Sequence, residues 1–126
     1  MKSKELTKAE EQVMQYLWDL GKGFLKDVVE RFPEPRPAYT TVSTVIGVLV
    51  RKGFIGYTTY GKVREYYPLI AKKDYSGNRV QSIIDHFFDG SAPAFASFFT
   101  QNDLSLSDLE EIKALIEEKI ESIKSE

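Results

Sequence analysis

Residues 36–53, RPAYTTVSTVIGVLVRKG, run directly into FIGYTTYGKVREYYPL at 54–69 and read as an amphipathic helix feeding a β-hairpin. Val42, Val45, Ile46 and Leu49 fall at i, i+3, i+4 and i+7, one apolar stripe suited to a core. The opposite face carries Thr40, Ser43, Thr44, Gly47 and Arg51. Between Glu34 and Glu65 there is no Asp or Glu, while Arg36, Arg51, Lys52, Lys62 and Arg64 supply positive charge. A polar-faced helix followed by a basic hairpin, with no acid from residue 35 to residue 64, is suited to phosphates and has the helix-plus-wing layout of a DNA-reading surface.

The rest of the chain bounds that reading. Its 126 residues can bury one sizeable core, or one core plus a helical extension that needs a partner. The absence of cysteine removes disulfide frameworks, thiolate metal sites and cysteine nucleophiles, and fits a reducing cytoplasm. No apolar run approaches membrane-spanning length, and MKSKELTKAEEQ is too charged for a signal peptide, so the expectation is a cytoplasmic protein with no membrane partner. The net charge of −2 hides an asymmetry: residues 1–72 hold 12 Lys/Arg and 8 Asp/Glu, net +4, and residues 73–126 hold 5 and 11, net −6. A basic first part and an acidic second part suggest two tasks in one chain.

Thr7 with Glu10 forms a capping box, and Ala9, Val13, Leu17 and Leu20 continue as a helical stripe over residues 8–20 that ends at Gly21. Val28, Val29 and Phe32 mark a shorter second helix, stopped by Pro33, Pro35 and Pro37. The third helix spans Tyr39–Lys52 and ends at Gly53, completing a helix-turn-helix core. Residues 54–59 and 64–69 predict two strands around a turn at Gly61. Helical character then returns. Val80, Ile83, Ile84, Phe87 and Phe88 form one face ending at Gly90; Pro93 with Phe95, Phe98 and Phe99 predicts a short fifth helix. Ser105 with Asp108 opens a last helix carrying Leu109, Ile112, Ile116, Ile120 and Ile123. Some fifty residues cannot bury these faces alone, so a homodimer is expected to hold them, through Ile84, Phe87, Phe88, Phe95, Phe98, Phe99, Leu109, Ile112, Ile116 and Ile120.

The chain resembles the penicillinase-repressor family of bacterial winged-helix regulators, the BlaI/MecI type with copper-responsive CopY relatives. The resemblance rests on LTKAEEQVMQYLW, AYTTVSTVIGVLVRKGFI, the hairpin ending YYPL and LSLSDLEEIKALIEE, the second being the most specific. It implies a homodimeric transcriptional repressor with Thr40, Thr41, Ser43 and Thr44 facing DNA and Arg64 on the wing. Ser43 stands where some members present arginine, and serine cannot make a bidentate contact to guanine. The cysteine pairs of the copper-responsive branch are absent. The counterpart of the sensor-triggered Asn-Phe cut is Phe98-Phe99, which leaves a regulatory protease or sensor as a further partner without support from the bond itself.

Gly47 inside a helix costs about 1 kcal/mol relative to Ala, and either close packing or close approach of DNA would account for it. Tyr57, Tyr60, Tyr66 and Tyr67 suit packing within the hairpin better than base stacking. Trp18 and Met14 belong with the core, and His86 among Ile83, Phe87 and Phe88 suits an interface. A lone histidine without cysteine excludes the common metal sites, and no phosphate loop or nucleophile elbow is present, so no enzyme, metal or cofactor is expected.

The fold expected is mainly α with a small β-hairpin: a winged helix-turn-helix domain at 1–72 and a helical dimerisation domain at 73–126. The function expected is a dimeric repressor that occludes a promoter by binding a two-fold, double-stranded DNA operator. Its reading helix is about 39–52 and its wing about 54–69, with Thr40, Thr41, Ser43, Thr44, Arg51, Lys62 and Arg64 on DNA. The rival readings are a winged-helix protein-interaction module and a single-stranded nucleic-acid binder.

Overall fold

The computed structural model describes residues 5–126; residues 1–4, the start of the highly charged opening stretch, lie outside the described residues. Helix α1 (Lys8–Leu20) opens where the Thr7 hydroxyl accepts from the Glu10 amide at 3.2 Å and the Glu10 carboxylate accepts from the Thr7 amide at 3.0 Å. It stops at Gly21, whose φ of 81° is left-handed and cheap only for glycine. Strand β1 (Gly23–Phe24) leads without a break into α2 (Leu25–Arg31), whose first turn is closed by the Phe24 amide donating to Asp27 at 2.9 Å. Next come α3 (Tyr39–Arg51) and the strands β2 (Ile55–Tyr60) and β3 (Val63–Pro68).

The apolar stripes of α1, α2 and α3 meet in one core. Val13, Met14, Leu17, Val28, Val42, Ile46, Leu49 and Ile55 are almost wholly buried, each such side chain stabilising the fold by about 1.5–3 kcal/mol for the larger ones. The sheet order is β1-β3-β2, all antiparallel, with Ile55 opposite Pro68 and Tyr60 opposite Val63. The hairpin thus closes on Gly61 and Lys62 alone, one residue tighter on each side than the sequence suggests. The third strand, β1, was not foreseen: two residues are too few to carry an alternation pattern.

Helix α4 (Lys72–Phe87) begins as part of the same core. Tyr75 is buried beside Trp18 and Phe54, with ring centroids 5.9 Å from each. Its hydroxyl donates to Glu11 at 3.0 Å, and the Trp18 indole donates to the Ile70 carbonyl at 2.8 Å. The described chain divides into two compact units, the second starting at Gln81, so the division falls inside α4 while residue 72 marks that helix's start. In the second unit α5 (Ala92–Ser97) runs into a 3-10 turn (Phe98–Thr100), and α6 (Leu106–Lys124) is capped by Ser105. Phe88, Phe95 and Phe99 form an edge-to-face ladder with centroids 5.5 and 5.7 Å apart.

Candidate nucleic-acid interface

Burying Val42, Ile46 and Leu49 forces the other side of α3 outward: Thr40, Thr41, Ser43, Thr44 and Arg51 are all exposed. The Thr44 hydroxyl donates to the Thr40 carbonyl at 2.9 Å, so its proton is committed and the side chain offers an acceptor lone pair and a methyl. A Cβ built at Gly47 would meet only the Arg51 guanidinium, at 3.8 Å. Among the described residues no other side chain comes that near the glycine, which removes close internal packing as its explanation.

The wing stands beside this face. Cross-strand pairs Tyr57–Tyr66 and Thr59–Arg64 share one side of the hairpin, which puts Arg64 diagonal to Tyr57. Its guanidinium carbon lies 4.3 Å from the Tyr57 ring centroid, a cation–π contact that orients a long side chain without neutralising it. Ser43, Gly47 and Arg51 of α3 and Tyr57 and Arg64 of the wing line a notch of about 250 Å³, bringing two guanidinium groups to one concavity. Lys62 is exposed at the hairpin turn. Sequence reasoning missed the seat of Arg64 on Tyr57; the diagonal i, j±2 spacing across a hairpin is the signal that would have found it.

Two of the cations noted in the acid-free stretch serve the fold instead. Lys52 donates to the nearly buried Glu10 at 2.8 Å, tying the end of α3 to the start of α1. Burial pushes the Glu10 carboxyl up, but the hydrogen bond from Lys52 and the Thr7 amide outweigh it and hold the carboxyl below its ordinary value. Arg36 pairs with Glu34 and donates to the Glu30 carbonyl at 3.2 Å. The tyrosines pack: Tyr57 against Tyr66 edge-on at 6.0 Å, Tyr60 toward Phe24 at 6.3 Å, and Tyr67 across Gly56, where an added Cβ would sit 2.8 Å from its ring.

In the second unit Ile84 is buried and Phe88, Phe95, Phe99 and Ile112 are half-buried. Phe87, at 78 % exposure, Phe98, Leu109, Ile116 and Ile120 are left open to solvent. His86 is exposed too, its Nδ1 2.9 Å from the Ser82 carbonyl. Among the described residues no acid, histidine and cysteine cluster could hold a metal, and no helix is long and apolar enough to cross a membrane.

A helix-turn-helix core whose third helix turns a polar face outward beside a basic hairpin defines a winged-helix protein. The chain belongs to the penicillinase repressor family, whose model matches residues 6–118. It is 26 % identical over 120 residues to the methicillin resistance regulatory protein MecI of Mammaliicoccus sciuri, covering 94 % of this chain and 98 % of that one. It is 25 % identical over 116 residues to the penicillinase repressor of Bacillus licheniformis, covering 90 % and 91 %. The solution structure of the DNA-binding domain of the repressor BlaI matches 60 % of this chain and 94 % of that domain, at 26 % identity and a TM-score of 0.51. The protein is a DNA-binding transcriptional repressor, not an enzyme.

Proposed function

We propose that the protein acts as a homodimer that binds a two-fold operator in double-stranded DNA and represses by occluding a promoter. The observation that carries this reading is the exposed, hydroxyl-lined and acid-free face of α3 beside a wing bearing Lys62 and Arg64. Thr40, Thr41, Ser43 and Thr44 read the major groove, while Arg51, Lys62 and Arg64 grip phosphates. Gly47 lets the DNA backbone come close. Residues 1–72 and the start of α4 form the DNA-binding part, and the remaining helices dimerise. What supports dimerisation is the apolar surface of the second unit, where Phe87, Leu109, Ile116 and Ile120 face solvent in the single chain. A regulatory protease or sensor belongs to the same reading as the partner that lifts repression in the cytoplasm, and Phe98, half exposed, is the open side of the Phe98-Phe99 bond.

The test is a footprint of the purified protein on DNA upstream of its own gene and its neighbours, repeated across salt concentrations. A dyad-symmetric footprint whose affinity falls steeply with salt is expected, because phosphate contacts release condensed counterions. Salt-insensitive association, or preference for single strands, would favour a protein-interaction module or a single-stranded binder.

A further inference from the structure

Strand β1 is only two residues long because the chain turns into α2 at Leu25. Its pairing, Gly23 with Tyr66 and Phe24 with Glu65, therefore ends before Arg64 and Val63, and a cleft of about 740 Å³ opens beside that stretch of β3. Phe24, Leu25, Tyr39, Val63 and Tyr66 give it apolar walls. Tyr39 and Val63 leave 48 % and 54 % of their surface open, so the cleft is broadly open to solvent. Two cations, Lys26 and Lys62, line the same cleft, and Arg64 contributes to its wall while its guanidinium lies over Tyr57. Lys26 and Lys62 make no ion pair among the described residues, and the guanidinium of Arg64 rests on a neutral ring. The single acid there, Asp27, already accepts from the Phe24 amide.

The volume lies within the roughly 300–1,000 Å³ of small-molecule sites, and apolar walls with a few converging polar groups are how such sites are built. An inorganic anion would answer the cations and leave the aromatic walls bare. A flat apolar molecule would do the reverse. A planar aromatic carboxylate meets both demands. We propose that this cleft binds a small aromatic carboxylate and that its occupancy opposes DNA binding, since Lys62 cannot serve a bound carboxylate and a phosphate together. The second half rests on the function proposed above.

The experiment uses the whole 126-residue chain, ¹⁵N-labelled and free of DNA, titrated with 2-naphthoate and with its neutral analogue 2-naphthamide. Saturable binding of one naphthoate per chain is expected, with amide shifts centred on Phe24, Lys26, Val63 and Tyr66. The amide should bind about tenfold more weakly, having lost its charge-assisted contacts. Lys26→Ala should erase much of that difference, and Leu25→Trp, which fills the cleft, should weaken both ligands. No saturation at millimolar concentration, equal affinity for acid and amide, or shifts confined to α6 would overturn the site. In a second arm saturating naphthoate should weaken duplex binding about tenfold in the wild type and much less in Leu25→Trp. Binding of naphthoate with no change in duplex affinity would overturn the regulatory half alone. If the ligand-free chain bound no duplex at all, the proposed function would fall and the regulatory half with it, while the first arm would still decide the site.

Discussion

Thr44 sits midway along the exposed face of α3 with its proton already given to the Thr40 carbonyl, and neither it nor Thr41 contributes to the core. Replacing either with Glu should therefore change stability by no more than about 0.5 kcal/mol, read by thermal melting, while duplex binding is lost through repulsion from phosphate. Equal loss of fold and of binding would show that the face is structural. Arg64→Ala should weaken specific and non-specific duplex binding together and lower the salt slope by about one unit. Tyr57→Leu, which keeps the charge of Arg64 but removes the ring beneath it, should weaken binding with that slope intact. Glu10 gives a pH signature. Its folded carboxyl is held below the ordinary 4.5, so its stabilising effect is complete above that pH and disappears as pH falls through the lowered folded value. Glu10→Gln should flatten stability against pH in that acid range, measured by urea unfolding, and leave the curve near neutrality parallel to wild type.

Helix α3 illustrates a local rule broken at one position. Gly47 lies mid-helix where an added Cβ would make only an ordinary contact with the Arg51 guanidinium, so alanine would stabilise the helix by about 0.5–1 kcal/mol. Gly47→Ala should raise the melting temperature and, on the proposed reading, weaken operator binding because the new methyl stands where the DNA backbone comes close. A variant that is more stable and binds as well as wild type would remove that role. The wing makes the opposite use of its glycine. At Gly56 the ring of Tyr67 occupies the space a Cβ needs, so Gly56→Ala should destabilise the hairpin by displacing the aromatic cover.

The first unit extends through Val80 and draws Tyr75 into its core, so a fragment ending at residue 80 should fold as a winged helix. One ending at residue 74 loses a buried aromatic anchor and should be destabilised by about 3 kcal/mol, read by chemical denaturation. The longer fragment should be monomeric and bind operator far more weakly than the whole chain, because two half-site contacts joined in one dimer gain from effective concentration. Ultracentrifugation should find the whole chain dimeric at micromolar concentration. A monomer there, or a fragment that binds as tightly as the whole, would end the dimeric reading.

Contacts near in sequence were legible from the sequence alone. The Thr7–Glu10 box, the stop at Gly21, the stripe of Val42, Ile46 and Leu49 and the turn at Gly61 each join residues a few positions apart, where periodicity and side-chain chemistry decide the outcome. The exposed face of α3 followed because a helix that buries one side must expose the other. Contacts joining distant residues were decided only by the tertiary structure: the two-residue β1 against β3, Lys52 on Glu10, Tyr75 between Trp18 and Phe54, and the cleft beside Val63. A basic residue in the acid-free stretch reads the same whether it faces phosphate or a buried carboxylate on another helix. Which of the two it meets depends on how the helices pack, and no local pattern encodes that distance.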